Sequence, residues 1–491
     1  MDEFCIRDGY RHRQAAEYFA DVAGDLIHQP HVYELAAFLG DRCGARRLID
    51  VGCGSGGKLA ALAGRFEAVG IDHGANLEAA AARGLTCIAH DLERGLPEVE
   101  PSLLADAVVV CADVVEHLSD PSPLLAGLAR WNRTCPYLLL STPDRVRVRG
   151  YGDIGPPANP AHVREWAADE FDALLTRHAF GPRLIGHTIN TQRHFAKTTM
   201  LALAGREAGW RPAPALRVLA IVNVYNESDV VVETIAHLLR QGADVLAIDN
   251  WSSDESYRLL ADMAASDPRV RVERFPEKRS DRYEWKRLLE NVEACAAESG
   301  YDWIIHNDAD ELRYAPWPGR TMAEGLAFVD ALGYNAVDFT VADFRFLATD
   351  APGVASVEER LRWFEFGRRP GHFVQIKAWR QVPDERYQLA SSGGHEIYFP
   401  GRRVFPLKFL IKHYPLRSDD QAQRKIHRDR LPRVAGERAE LGWHTQYDRY
   451  ADGAIPRWTR SALTAWNDQL FAAEFLVERL SGIGIAREEA P

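Results

Sequence analysis

Trp303-Ile304-Ile305-His306-Asn307-Asp308-Ala309-Asp310-Glu311 starts as a short apolar run and ends on two carboxylates one residue apart. At a strand end the two-residue side-chain period points Asp308 and Asp310 to the same side. Same-side carboxylates repel unless a cation lies between them. Mg²⁺ and Mn²⁺ prefer oxygen ligands and commonly bridge protein carboxylates to substrate phosphates. A solvated acidic turn would show the same letters, so the upstream context has to decide.

Upstream, Val218-Leu219-Ala220-Ile221-Val222-Asn223-Val224 reads as a buried strand that ends on Tyr225-Asn226-Glu227. A helical pattern runs from Asp229 to Leu239. A second apolar run, Val245-Leu246-Ala247-Ile248, closes on Asp249-Asn250 and then Ser252-Ser253-Asp254. This is a parallel βαβ unit, and such sheets bind ligands at the carboxyl ends of their strands. Asn226, Glu227, Asp249, Asp308 and Asp310 all fall at those ends. In this order and spacing, V-x-V-Y-N-E, I-D-N-W-S-S-D and N-D-A-D-E resemble the family 2 glycosyltransferases of the GT-A fold, over roughly residues 216 to 430.

That resemblance implies a nucleotide-sugar donor and a divalent metal (Mn or Mg). Asp310 is the expected metal ligand and catalytic carboxylate, Asp308 binds metal or ribose, and Asn226, Glu227 and Asp249 surround base and ribose. A late histidine completes the metal shell in several such enzymes. His413, in Lys412-His413-Tyr414-Pro415, matches that context better than His395. Glu396 and Asp343 are candidates for the base on the acceptor hydroxyl. A nucleotidyltransferase also uses carboxylate-bound metal, but it usually places a glycine-rich loop with a basic residue where this chain has Tyr225-Asn226-Glu227.

The chain has 491 residues, too many for one ordinary core. Composition is globular, with 46% hydrophobic and 26% charged residues and a net charge of −11, which argues against a general nucleic-acid binder. Seven cysteines show no C-x-x-C pair and read as reduced packing residues of a cytoplasmic protein. The N-terminus has no basic and apolar leader pattern. No run approaches the ~18 to 20 apolar residues of a transmembrane helix, which leaves room for peripheral membrane contact. Gly205, Gly209, Pro212 and Pro214 mark a break. The expected division is a first domain over 1–205, a linker over 206–216, a second domain over 217–440 and a helical extension over 441–491, with a terminal amphipathic helix over 457–480.

In the first half, Arg47-Leu48-Ile49-Asp50-Val51 runs into Gly52-Cys53-Gly54-Ser55-Gly56-Gly57. Glycines there let the backbone pass close to a ligand. Val69-Gly70-Ile71-Asp72 is a second strand ending in an acid that can accept two ribose hydroxyls. Ile88-Ala89-His90-Asp91-Leu92 is a third strand end, and Ala107 to Cys111 a fourth, followed by Asp113-Val114-Val115-Glu116-His117. A dinucleotide-binding unit shares the glycine loop and the downstream acid. Asp50, however, would face a cationic ammonium well and a pyrophosphate badly. Together D-V-G-C-G-S-G, G-I-D, H-D-L and V-E-H-L resemble the class I S-adenosylmethionine-dependent methyltransferases, over roughly residues 35 to 200. The resemblance implies a seven-stranded, mostly parallel sheet with helices on both faces. By it, Asp50, Gly52, Gly54 and Gly56 line the methionine end of the cofactor, Asp72 the ribose, and Asp91 with Leu92 the adenine.

The acceptor side offers His162, His117 and Asp113 as bases, although a histidine at a helix start is more often packing. The polar Gly/Pro-rich loop from Val146 to Ala161 reads as a lid, and its arginines suit an acidic or phosphate-bearing acceptor. The basic run Arg424 to Arg430 reads as a solvated face that could meet an anionic, lipid-linked acceptor. The whole is expected to be a two-domain α/β enzyme. It would methylate a sugar or glycan hydroxyl and transfer a sugar to a saccharide or lipid-linked glycan in surface polysaccharide or glycoconjugate synthesis. The rival is one activity, with the other half a substrate-binding module.

Overall fold

The computed structural model describes residues 3–14, 28–150, 152–181, 183–191, 197–280, 282–350, 356–366, 374–433, 435–441, 443, 450, 452–467 and 475–476. The chain forms two compact units. One comprises Met1–Trp210 with the C-terminal strand Phe475–Leu476, the other Arg211–Asn467.

The first unit is built on β1 (Arg47–Val51), β2 (Glu67–Asp72), β3 (Thr86–Ala89), β4 (Ala107–Ala112), β5 (Tyr137–Pro143), β6 (Leu184–Thr188) and β7 (Thr199–Ala204). Their order in the sheet is β6-β7-β5-β4-β1-β2-β3. All pairs are parallel except those made by β7. The central strands are continuous apolar runs because helices cover both faces of such a sheet. Every residue of β4 is buried, while edge strand β3 has none fully buried. The expected seven strands are joined by an eighth, the short Phe475–Leu476 pair beside β6. Tyr18 and Phe19 lie outside the described residues; Val32 and Tyr33 stand on the helix Pro30–Cys43.

In the second unit β8 (Val218–Val224), β9 (Asp244–Asp249), β10 (Val270–Arg274), β11 (Trp303–Asp308), β13 (Ala336–Val337) and β16 (Ala378–Arg380) form one sheet, ordered β10-β9-β8-β11-β16-β13. Its first four strands are parallel. A second sheet is ordered β12-β17-β14-β15-β18, from β12 (Glu311–Tyr314), β14 (Phe339–Arg345), β15 (Trp363–Phe366), β17 (Phe409–Leu416) and β18 (Thr464–Ala465). The Asp308–Glu311 turn carries the chain from β11 of the first sheet into β12 of the second, so the acid pair sits where the two sheets meet.

Three expectations change. No α-helix occupies 457–467; those residues hold a short 3₁₀ turn, Arg460–Ala462, and β18, where Trp466 packs on Phe344 and Phe364. The segments 468–474 and 477–480 of that expected helix lie outside the described residues. The helix expected to start at His162 begins at Ala168, because Trp166 bridges to Asp144 in extended form and Glu170 caps the helix at Ala167. The run Arg424–Arg430 is π-helical and not simply solvated: Lys425, Ile426 and Asp429 are buried. No helix among the described residues is long and apolar enough to cross a membrane.

Candidate active sites

In the first unit Gly52, Gly54 and Gly56 all have positive φ, at 77°, 56° and 71°. A Cβ on Gly52 would collide with Val114, and one on Gly56 would lie 2.5 Å from Leu85 Cδ1. Conformation and space both demand glycine here. Behind this turn Asp50 is fully buried and accepts from the Tyr33 hydroxyl at 2.9 and 3.1 Å. Burial lifts its pKa to about 7, against the pull of Lys58 and the Tyr33 hydrogen bond. At the end of β2, Asp72 accepts from the backbone N–H of Gly54 (2.8 Å) and of His73 (2.7 Å); burial raises its pKa. Asp91 caps the short turn Leu92–Arg94 through Glu93 N–H.

Beside them lies a cavity of about 440 Å³. Gly52, Gly54, Asp72, Asp91 and Leu92 are part of its wall; Asp113, His117 and His162 form another part. Asp50 and Gly56 are not in the wall. Asp113 follows β4 with φ 61°, a conformation a non-glycine residue holds only when its surroundings enforce it. Its carboxyl meets that of Glu116, and the pair divides its charge. Burial and then Asp113 drive the Glu116 pKa well up. Burial would raise Asp113 too, but the Glu116 hydrogen bond, His117 and His162 bring it down. His117 Nδ1 donates to the Ala161 carbonyl at 2.7 Å, and burial lowers its pKa. His162 Nδ1 donates to Glu165 at 2.8 Å while its Nε2 accepts from Asn159 at 2.9 Å. The two imidazoles meet edge to face at 4.9 Å.

The loop arginines do not present themselves to an acceptor. Arg149 is held by Glu165, Asp153 and the carbonyls of Gly155 and Pro156, and Arg147 stands 3.7 Å from Asp144. Ion pairs with Asp153 in the loop and with Glu165 and Asp144 beside it answer the charge of these two arginines.

In the second unit every carboxylate of the expected site already has a cationic neighbour. Lys377 Nζ lies 2.9 Å from Asp308 Oδ2 and 3.1 Å from Glu311 Oε1. Lys425 Nζ lies 2.7 Å from both Asp310 Oδ2 and Glu227 Oε1, and Arg417 pairs with Glu227 and Asp229. Burial alone would raise the Asp310 pKa, but Lys425, His413 and Arg417 bring it down to about 2. Asp308 goes lower still, burial being outweighed by Lys377. His413 sits on β17, paired with Glu311 of β12 on one side and Asp343 of β14 on the other. Its Nδ1 donates to Asp343 at 2.6 Å and its Nε2 is 3.8 Å from Asp310 Oδ1. Burial lowers the His413 pKa, but Asp343 and Asp310 overcome this and raise it.

A family model described as methyltransferase domain matches residues 11–184, and one described as glycosyl transferase family 2 matches residues 219–317. A probable S-adenosylmethionine-dependent methyltransferase of Mycobacterium tuberculosis is 32% identical, covering 37% of this chain and 69% of its own length. The chain belongs to the S-adenosylmethionine-dependent methyltransferases. A second such protein, from Mycolicibacterium smegmatis, is 31% identical over 29% of this chain and 54% of its own. Among solved structures, a Thermotoga maritima methyltransferase shares 14% identity over 36% of this chain and 91% of its own, with TM-score 0.26. A Pyrobaculum calidifontis mannosyltransferase shares 22% over 26% and 37%, with TM-score 0.21. The chain thus joins a methyltransferase domain to a family 2 glycosyl transferase domain.

Within the glycosyltransferase half the remaining expected residues are committed elsewhere to different degrees. Asn226, at φ 55°, accepts from the N–H groups of Ser253 (2.7 Å) and Asp254 (3.3 Å) and donates to Asp429, stapling the turn after β9 to the end of β8. Asp249 accepts from Ser252 N–H and Arg274; burial raises its pKa. Glu396 is held by Arg402 and Tyr398, and Asp343 by Arg345 and His413, so neither stands ready as a base. His395 Nδ1 meets the Gln375 amide, and burial drops its pKa to about 4. Lys377, Lys425 and Arg417 were missed by sequence reading. Lys425 was visible in the basic run, but nothing in the letters says that it turns inward.

Proposed function

We propose that the chain is a bifunctional enzyme that methylates a hydroxyl of a sugar or glycan in its first half and transfers a sugar from a nucleotide-sugar donor in its second. Its place would be the synthesis of a surface polysaccharide or glycoconjugate in the cytoplasm, a reducing compartment that suits seven unpaired cysteines. The functional domains are taken as 1–205 and 217–440, with 206–216 as linker. The observation that carries the methyl-transfer reading is the single cavity whose wall combines the glycine turn and Asp72 with Asp113, His117 and His162.

In the first half Asp72 would hold the two ribose hydroxyls, Asp91 and Leu92 the adenine edge, and the Gly52–Gly56 turn the methionine end. Asp50 supplies negative charge behind that turn for a cationic donor. Positioning of the acceptor against the methyl carries most of the rate gain, and the Asp113–His117–His162 group takes up the acceptor proton.

In the second half the donor set is one carboxylate oxygen from each of Asp308 and Asp310 and the Nε2 of His413, oriented by Asp343. Oxygen with one borderline nitrogen suits Mn²⁺, and His413 already faces Asp310 Oδ1, the oxygen opposite the Lys425 contact. Asp310 and His413 stand 3.8 Å apart, while Asp308 is held by Lys377 and would have to turn toward them to complete a divalent site, whose ion would neutralise charge on the departing nucleoside diphosphate. Lys425 and Arg417 add fixed positive charge beside it. Thermal-shift and calorimetric titration of the full chain with S-adenosylhomocysteine and with nucleoside diphosphates, with and without Mn²⁺, tests both halves. Each half should bind its own ligand, and the second should need the metal. The lysines on Asp308 and Asp310 favour a second reading, in which that half binds a glycan without transferring sugar. Absence of any nucleotide binding would select it.

A further inference from the structure

We propose that the methyltransferase half holds a divalent cation on Glu116, His117 and His162, and that the cation draws in the methyl acceptor through two adjacent hydroxyl oxygens. The inference rests on the reading of this half as a methyl-transfer site whose acceptor enters at the Asp113 end of the cavity.

One ligand atom from each of the three side chains lies within 4.8 Å of the other two. Ligands about 2.0–2.2 Å from a common ion are at most about 4.4 Å apart, so closure asks for a shift of roughly half an ångström. Both imidazoles are prepared in the same way. His117 donates Nδ1–H to the Ala161 carbonyl and His162 donates Nδ1–H to Glu165. Such outer hydrogen bonds fix the tautomer that leaves Nε2 as the lone-pair nitrogen, and they orient ligating histidines in metal sites. The Asn159 amide now on His162 Nε2 is the group the ion would displace.

Glu116 provides an independent observation. It is fully buried, its Oε2 accepts from Thr142 Oγ1 at 3.0 Å, and its Oε1 has no donor. The Asp113 carboxyl faces it. The buried Glu116 carboxyl and the partly buried Asp113 carboxyl share a hydrogen bond that needs a proton, and a cation can take that proton's place. Two imidazoles and one carboxylate leave coordination positions open, and these point to a ligand that brings its own oxygens. A vicinal diol, the motif of most sugar rings, supplies two at the right spacing. The cation-bound hydroxyl gives its proton to Asp113. Its oxygen then forms the new C–O bond as the S–CH₃ bond breaks, and that electron pair returns to sulfur, converting the sulfonium into a neutral thioether.

The test uses the full chain carrying Asp310→Asn, which weakens the other proposed metal site, titrated with Mn²⁺ and followed by electron paramagnetic resonance. One ion per chain should bind. Glu116→Gln and His117→Ala should each weaken it by about 10-fold or more, since even supporting partners of metal ligands are worth 10- to 100-fold. Calorimetric binding of S-adenosylhomocysteine should change less than about threefold. Unchanged Mn²⁺ affinity in both variants, with S-adenosylhomocysteine binding retained, overturns the cation site. If Glu116→Gln loses both ligands, His117→Gln decides on the same two readings, because His117 is less deeply set than Glu116. A vicinal diol should perturb the bound Mn²⁺ signal, and a signal unmoved at saturating diol overturns the acceptor class. Parent protein that binds no S-adenosylhomocysteine would bring down the methyltransferase reading, and this proposal with it.

Discussion

The two halves meet one difficulty, carboxylates buried at strand ends, and answer it in opposite ways. In the methyltransferase half burial outweighs the pull of Lys58 and a tyrosine hydroxyl on Asp50, and Glu116 meets the carboxyl of Asp113, with no lysine or arginine ion-paired to any of the three among the described contacts. Protons carry the load there. In the glycosyltransferase half Asp308, Asp310 and Glu227 each touch a lysine, and Arg417 adds a guanidinium. Asp308 and Asp310 stay ionised. The difference follows the charge of the ligand each half is proposed to take. A site for a cationic donor should keep its acids waiting for that charge. A site for a diphosphate should carry its own cations, since the incoming phosphates would otherwise face bare carboxylates.

The largest expected effect breaks the comparison on its second side. Asp310→Asn should lower sugar transfer by about 10²- to 10³-fold, the usual cost of removing one group that stabilises developing charge. S-adenosylhomocysteine binding should remain unchanged, because the two sites are built from residues of different compact units. Radiolabelled sugar incorporation alongside calorimetry checks both. Transfer that survives Asp310→Asn would mean that the lysines, not a metal held by the acids, serve the diphosphate.

A smaller effect is expected at Asp72. Its replacement by alanine removes a charged acceptor for ribose hydroxyls and also the partner of Gly54 N–H. A lost hydrogen bond to a charged group is worth roughly 1.5–3 kcal/mol, or about 10- to 100-fold in S-adenosylhomocysteine affinity. Isothermal titration that shows no loss would remove Asp72 from the site.

The smallest effect concerns pH and sharpens the first side. The folded pKa of Asp50, about 7, lies above its unfolded value. Between about pH 4 and 7 the folded chain therefore holds more proton than the unfolded one, and the contribution of Asp50 to stability falls as pH rises through that window. A cationic donor favours the ionised form, so binding of S-adenosylmethionine should strengthen as pH rises from 6 to 8, by up to about 10-fold, and level off above. Asp50→Asn should flatten that slope. Titration calorimetry at three pH values checks it.

Much of this was legible in the letters because the motifs are local. The glycine turn, Asp72 and the acid pair are each set by a few neighbours along one strand end, and periodicity places them. The counter-ions were not legible. Lys377 reaches Asp308 from β16's approach, and Lys425 reaches Asp310 from a π-helical turn well over a hundred residues farther on. A lysine in a basic run looks solvated until the fold turns it inward. The C-terminal segment misled for a related reason: its spacing of apolar residues suits a helix, but Trp466 is claimed by an aromatic cluster on a sheet, and tertiary packing overrides propensity. Glu396 was a candidate base by its letter alone, and nothing in the letters says that Arg402 closes on it at 2.7 Å.

His413 is bonded in register on both flanks, opposite Glu311 on β12 and opposite Asp343 on β14. A slip of one residue on either side would turn it to the other face, so its aim is held twice over. The connection between β14 and β17 reaches the same corner, since its Lys377 ion-pairs with Asp308 and Glu311 and its β15 pairs with β14. Changes confined to the stretches of that connection that touch neither β14 nor the acids should therefore leave the Nε2 of His413 aimed at Asp310.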